Sequence, residues 1–217
     1  AGGVVAGHYD AVIAGGVESM SRTPMGASLA NGGNPYSASF KARYERTPNQ
    51  GIGAEMMAEK WGLTRTMLDQ FSLDSHEKAG KAQASGAFDD QIVGIKDPDG
   101  NVVTKDEGIR LGTTLEKMAA LKTVFKEDGV IHAGNSSQIS DGSGALLFMS
   151  AEKAKALGLT PRARFTSFSV VGDDPLYMLT GPIPATEKVL ARTGLSVSDI
   201  DAFEVNEAFA PVPLAWR

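Results

Sequence analysis

Ile200-Asp201-Ala202-Phe203-Glu204-Val205 alternates between apolar and polar residues and runs directly into Asn206-Glu207-Ala208-Phe209-Ala210. Alternation of period two is the signature of a half-buried strand. A strand that ends in Asn-Glu delivers two polar side chains at its carboxyl end, where open α/β sheets keep their chemistry. The stretch reads as a strand of an α/β protein, with Asn206 and Glu207 as site candidates that the two residues alone do not establish. Asn206 can donate and accept hydrogen bonds without titrating, and Glu207 can orient a neighbour or move a proton. The same two residues also read as an ordinary helix start, with Asn206 as cap and Glu207 at the positive end of the helix dipole.

Two further stretches carry the same kind of signal. Ala14-Gly15-Gly16-Val17-Glu18-Ser19-Met20-Ser21 follows a short apolar run, Asp10 to Ala14, expected as a buried strand that turns tightly at Gly15-Gly16. Gly134-Asn135-Ser136-Ser137-Gln138-Ile139-Ser140-Asp141-Gly142-Ser143-Gly144-Ala145 precedes an expected strand, Ala145 to Ser150. Its small residues let backbone approach a ligand closely, and its hydroxyls offer neutral hydrogen bonds. A phosphate-loop reading fails because no Lys stands in the required place.

Taken together, Ala14 to Ser21, Gly134 to Ala145 and Asn206 to Ala210 resemble the thiolase family of acyl-CoA acyltransferases. The resemblance implies a layered α-β-α-β-α fold with an inserted α+β loop domain. It sets residues 1–20 at the end of an N-terminal core half and 21–132 in a loop domain that covers coenzyme A. Residues 133–160 then return to the first core half, and 161–217 begin the second. It implies thiolytic cleavage of 3-ketoacyl-CoA by coenzyme A, or the reverse condensation, with no tightly bound cofactor. Coenzyme A and acyl-CoA are the expected partners, together with further copies of the chain in a dimer or tetramer whose surface lies near Asp10 to Ala14. Residue by residue, it places Asn206 on a water in an oxyanion hole and gives Glu207 a supporting role toward a histidine. Arg110 falls near the nucleotide phosphates, Phe125 beside the pantetheine and Ser137 on the pantetheine amide. Met178, in Met178 to Pro184, falls on the acyl-binding side, and Phe209 shapes the pocket.

Composition limits this reading. The 217 residues contain no cysteine, so they hold no thiolate nucleophile, disulfide or cysteine metal site. Thiolases work through two cysteines and a histidine. The histidines His8, His76 and His132 do not stand in the family's Gly-His-Pro setting. The expectation is an internal piece of a thiolase, inactive alone. Two alternatives are an acyl-CoA or sterol carrier without catalysis, and an inactive fragment. The net charge of −5 argues against a nucleic-acid partner. No apolar run approaches a membrane span and no leader opens the sequence, which predicts a cytoplasmic protein. Lys41, Arg43 and Arg46 cluster, as a solvated face or as a patch toward a small anion.

The remaining chain reads in order. A helix tail is expected over Ala1 to Tyr9, and Ser21 to Gln50 is expected as a functional loop without stable period. Helices follow over Gly51 to Leu63 and, capped by Thr64, to about Ser85. Met56 and Met57 read as core fillers or as an acyl channel, and His76 as solvated among Asp74, Glu77 and Lys78. Pro98-Asp99-Gly100-Asn101 predicts a hairpin between Ile92 to Ile95 and Val102 to Lys105. Helices are expected over Leu115 to Leu121, Ala151 to Leu157 and Ala185 to Thr193, and a strand over Ala163 to Val171. Asp173-Asp174-Pro175 reads as a turn rather than a carboxylate pair. Ser196 or Ser198 caps the turn before Ile200. Asn49-Gln50 stands where acetoacetyl-specific members of the family carry His-Met, which favours broader chain length.

Overall fold

The computed structural model describes residues 1–30, 32–44 and 46–217. Asn31 and Glu45, inside the stretch expected as a loop, lie outside the described residues. The chain forms two compact units.

The first unit comprises 1–45, 139–171 and 185–201. It is built on an antiparallel pair, β1 (Ala11–Ser19) and β4 (Asp141–Met149), in which Ala11 stands opposite Met149 and Ser19 opposite Asp141. Two expectations change here. Gly15 and Gly16 lie inside β1 and make no turn; opposite them stand Ala145 and Gly144. A Cβ at Gly15 would lie 2.7 Å from the Gly144 carbonyl oxygen, so glycine serves close approach of two backbones. The strand is also not buried: Ile13, Val17, Leu146 and Leu147 are all more than half exposed. The carboxylate of Asp141 joins the strand ends to the following turn, accepting from the Ser21 amide at 2.9 Å and the Ser21 hydroxyl at 2.5 Å.

Ala163 to Val171 is neither helix nor strand and has no ladder partner among the described residues. Its carbonyls are taken by side chains of the helix over 182–193: Lys188 Nζ donates to Val170 O at 2.7 Å and Arg192 to Phe168 O at 2.6 Å. Phe165 stacks between Phe148 and Phe168. Alternation here reflects an aromatic stack beside a helix rather than a sheet.

The second unit comprises 46–138, 172–184 and 202–217. Its helices start where the sequence supplies a side-chain cap. Asn49 Oδ1 accepts the Ile52 amide and opens α3 (Gln50–Lys60), and Thr64 Oγ1 accepts the Met67 amide and opens α4 (Arg65–Ala84). Thr114 does the same for α5 (Leu115–Ala119). The earlier helices α1 (Gly2–Val5) and α2 (Ala38–Arg43) belong to the first unit, so the stretch expected as a bare loop holds a short α-helix as well as a 3-10 turn at Ala27–Leu29 among its described residues. The hairpin forms with shorter arms than expected, β2 (Ile95–Lys96) and β3 (Val102–Val103). In chain order α6 (Ala151–Ala156), α7 (Pro182–Thr193) and α8 (Pro211–Trp216) follow. The helices α6 and α7 stop at Gly158 and Gly194, which hold positive φ, as expected for glycine after a last turn.

The core of this unit is Ala54, Met57 and Ala58 from α3, Leu68 from α4, Ile131, and Phe209, Ala210 and Val212 at the entry to α8. Met57 is fully buried, which places it among the core fillers. Ile200 to Val205, expected as a strand, has no sheet partner among the described residues; Phe203 packs edge-on to Trp216 at 4.9 Å.

Two glycines let α3 sit close to its neighbours. A Cβ at Gly51 would enter the ring of Phe125, and one at Gly53 would lie 2.5 Å from the Tyr177 carbonyl oxygen. Backbone cannot yield as a flexible side chain can. Gly53→Ala gains about 1 kcal/mol of helix propensity but loses about 1–3 kcal/mol to overpacking. Urea unfolding of the variant is therefore expected at a lower midpoint, and an unchanged or higher midpoint would show that α3 has room to shift.

Candidate functional site

Every residue singled out from the sequence as a site residue lies in the second unit. What holds them there is a buried polar network. The Asp69 carboxylate, 2% exposed, accepts from Arg65 Nε at 3.0 Å, from His132 Nε2 at 2.7 Å and from Asn135 Nδ2 at 3.0 Å. Arg65 also donates to the carbonyls of Met118 and Leu121, capping the end of α5. His132 Nδ1 accepts the Gly134 amide at 3.0 Å, so the imidazole proton sits on Nε2 and is donated to Asp69. Glu55 of α3 accepts the amides of Val130 and Ile131. No buried side-chain nitrogen or oxygen among the described residues lacks a partner.

This network fixes Asn135, and Asn135 fixes the motif from Asn206 to Ala210. Its backbone oxygen accepts the Ala210 amide at 3.0 Å, and the Ser137 amide donates to Ala208 O at 2.8 Å. Ser136 and Phe209 form the intervening antiparallel bridge. Two of the three sequence motifs are thus one short ladder. Phe209 in turn meets Phe125 edge-on at 6.0 Å, and Phe125 lies over Gly51.

Asn206 and Glu207 are exposed. Neither starts a helix: the nearest, α8, begins at Pro211, because the backbone of 208–210 is committed to the bridge. Glu207 Oε2 accepts from the Ser75 hydroxyl of α4 at 2.7 Å. One residue on, His76 is half-buried and its Nδ1 accepts the Arg110 amide at 3.1 Å. The reading of His76 as a solvated side chain is therefore corrected; the polar residues around it hide that it faces the 106–112 segment. The Arg110 side chain is exposed and makes no ion pair with Glu107 or any other described residue.

Met178 holds φ of 56°, the only non-glycine at positive φ among the described residues. A side chain in the left-handed region is strained, and such strain gathers at functional sites. The turn around it is fixed by Asp174 Oδ1, which accepts the Leu176 amide at 2.7 Å. Asp173 is held below the usual carboxylate range, chiefly by the Thr180 hydroxyl. The two aspartates cap a turn.

The structure thus joins Phe209 to Phe125 directly and Ser137 to Phe209 through their neighbours Ala208 and Ser136 in the bridge, and it ties Glu207 and Arg110 to adjacent positions of α4. Sequence reasoning missed Asp69, Arg65, Asn135 and Ser75. The i, i+4 spacing of Arg65 and Asp69 was the available signal for the first two.

With this geometry in place, comparison with known proteins is specific. The thiolase N-terminal domain model matches residues 1–152, and the thiolase C-terminal domain model matches 159–217. The chain belongs to the thiolase family. A probable acetyl-CoA acyltransferase of Staphylococcus epidermidis is 41% identical over 98% of the chain and 57% of that protein. A 3-ketoacyl-CoA thiolase of Marinobacter nauticus is 43% identical over 94% and 52%, and a steroid 3-ketoacyl-CoA thiolase of Mycobacterium tuberculosis is 42% identical over 98% and 54%. The crystal structure of the dimeric peroxisomal thiolase of Saccharomyces cerevisiae superposes with a TM-score of 0.86 at 37% identity, covering 98% of this chain and 55% of that one. The fold is the α/β thiolase fold. The chain spans about half the length of the curated relatives it matches.

His132 supplies a test of the network. Burial pushes its pKa below the usual 6.5 further than the Asp69 hydrogen bond pushes it up, and the Arg65 charge lowers it too. Above pH 6.5 neither folded nor unfolded chain binds this proton, and the stability from the neutral, hydrogen-bonded imidazole is complete. Below it the unfolded chain binds a proton that the folded chain refuses, so stability falls on acidification. Urea midpoints measured from pH 7.5 to 5.5 are expected to fall. In His132→Leu the midpoint starts lower and this limb is flat, whereas an unchanged slope would assign the acid sensitivity to another group.

Proposed function

We propose that these residues form part of a thiolase-type acyltransferase that cleaves 3-ketoacyl-CoA with coenzyme A or runs the reverse condensation. The observation that carries the reading is the bridge from Asn135–Ser137 to Ala208–Ala210. It sets a serine-rich edge beside Asn206 and leaves Asn206, Glu207 and Ser137 exposed to a ligand.

Thioester exchange requires a thiolate, a base, a second acid-base group and donors aimed at each developing oxyanion. Asn206 supplies the last of these by holding a water with its amide. Glu207, oriented by Ser75, supports the family's histidine. Ser137 contacts the pantetheine amide, Phe125 lies beside the pantetheine, Met178 lies on the acyl-binding side, and Phe209 shapes the pocket. Arg110 grips the nucleotide phosphates, because a guanidinium matches phosphate oxygens bidentately. Coenzyme A enters as substrate, with no tightly bound cofactor. The family's two cysteines would complete this chemistry, since the 217 residues contain none. For that reason a carrier function, binding acyl-CoA without turnover, is the second reading, and the 217 residues alone are expected to be inactive.

The exposed apolar side chains of β1 and β4, together with the dimeric state of the yeast relative, support a homo-oligomer. No helix among the described residues is long and apolar enough to cross a membrane. A cytoplasmic setting, fatty-acid β-oxidation and the absence of a nucleic-acid partner complete the proposal.

In a polypeptide that joins these residues to the family's cysteines and histidine, Asn206→Ala is expected to lower kcat by about a hundredfold, the scale of one oxyanion-hole donor. An unchanged kcat would remove Asn206 from the mechanism. Calorimetric titration with coenzyme A tests the binding half independently. Arg110→Ala should weaken affinity by about tenfold or more, as for a lost charged hydrogen bond, while binding of pantetheine, which lacks the phosphates, stays the same.

A further inference from the structure

We propose that His76 is a positioning residue for the phosphate clamp: it holds the backbone from which Arg110 projects. The inference rests on Arg110 contacting the coenzyme A phosphates, and it names what makes that contact effective.

Arg110 sits in a segment, 104–113, that is neither helix nor strand. An exposed arginine on irregular backbone has many conformations to lose when it grips an anion, and that loss of freedom weakens binding. A clamp works only if its backbone is fixed beforehand. Besides His76, other contacts hold the segment, and the nearest is Leu111, whose side chain lies over Gly80 of α4. Gln83 Nε2 donates to Asp106 O at 3.2 Å, and Asp106 Oδ1 accepts the Gly108 amide at 2.7 Å. The Gln138 side chain fills the space beside Gly108 where a Cβ would stand, and Lys117 Nζ donates to Gly112 O at 3.1 Å. These contacts hold 106–108, the Leu111 side chain and 112. The His76 bond is the one that seizes Arg110 itself.

The anchor is well made. His76 lies in the second half of α4, a helix of 20 residues whose first turns are locked by Arg65 and Asp69. The neighbouring Ser75 holds Glu207, so this part of α4 fixes both the Asn206–Glu207 end of the site and the arginine. The imidazole accepts through Nδ1, which requires that nitrogen to be unprotonated. With its amide hydrogen committed to a ring on a rigid helix, Arg110 has a defined point of departure for its side chain.

The geometry predicts a role separable from general stability. Calorimetry of the 217-residue chain with coenzyme A and, separately, with pantetheine would compare the parent with His76→Leu, His76→Asn and Arg110→Ala. In His76→Leu the affinity for coenzyme A should fall about three- to tenfold, the scale of one hydrogen bond, with pantetheine binding unchanged. His76→Asn, whose amide can place an acceptor where Nδ1 stands, should recover most of the loss. The His76→Leu/Arg110→Ala double variant should bind coenzyme A no more weakly than Arg110→Ala alone, because both act through one contact.

Equal losses for coenzyme A and pantetheine in His76→Leu would overturn the proposal, as would failure of His76→Asn to recover affinity. Additive losses in the double variant would also overturn it, by showing that His76 acts elsewhere. If Arg110→Ala weakens coenzyme A and His76→Leu does not, the clamp stands and the positioning role falls. An Arg110→Ala variant that binds coenzyme A like the parent removes the clamp itself.

Discussion

The second unit depends on a single buried carboxylate. Asp69 receives three donors from three parts of the chain: Arg65 one turn earlier on α4, His132 at the end of the 106–132 stretch, and Asn135 in the glycine- and serine-rich motif. A carboxylate taken out of water is unfavourable by several kcal/mol unless its oxygens are fully engaged. These are engaged, and the donors satisfy their own remaining positions through Met118 O, Leu121 O, Val130 O and the Gly134 amide. The arrangement therefore holds only in one register. A slip of one residue between 132 and 135 would leave Asp69 and His132 buried without partners.

From this point the site follows by short steps. Asn135 uses its side chain to reach Asp69 and Val130, and its backbone oxygen to hold Ala210. The next two residues complete the bridge to Phe209 and Ala208. Phe209 then closes the core against Phe125 and α3. The polar network and the apolar core are consequently two faces of one strip of chain, and disturbing either displaces Asn206 and Glu207.

Much of this was legible in the sequence, and the failures have a common cause. The helix start at Thr64 could be read because a cap is a local interaction with a residue-specific signature, and the same signature at Asn49 and Thr114, which sequence reasoning passed over, opens two further helices. The hairpin at Pro98 to Asn101 was legible for the same reason. Readings that needed a partner distant in sequence went wrong. Gly15-Gly16 suggested a turn, since nothing nearby in sequence reveals the Gly144 carbonyl that demands the missing Cβ. Ala163 to Val171 and Ile200 to Val205 have strand-like alternation, but a strand is defined by its neighbour, and none lies beside them among the described residues. Local sequence gives no reason to single out His76, which stands among charged residues, or His132, which lacks a motif. Their importance comes from Arg110, 34 positions away, and Asp69, 63 positions away. The motif residues themselves were legible as a set only through the family resemblance, because no periodicity distinguishes Ser137 or Arg110 from other surface residues.

The division between visible motif and hidden support also explains the distribution of chemistry in this unit. Asn206, Glu207, Ser137 and Arg110 are exposed, as their proposed role in meeting a ligand requires. Exposed side chains on irregular backbone cannot position themselves, since their hydrogen bonds compete with water and their conformations are many. The positioning is delegated to groups with less freedom: Asp69, His132 and Asn135 in the interior, and Ser75 and His76 on a helix that the interior holds still. Met178 extends the argument, because its strained backbone persists only while the Asp174 turn and the close contact of Tyr177 with Gly53 over-determine it. A substitution at a supporting residue should therefore act on ligand binding in proportion to how directly it touches one of these four exposed residues. On that measure His76, which bonds the Arg110 amide itself, and Ser75, which bonds the Glu207 carboxylate, rank above every other residue of α4.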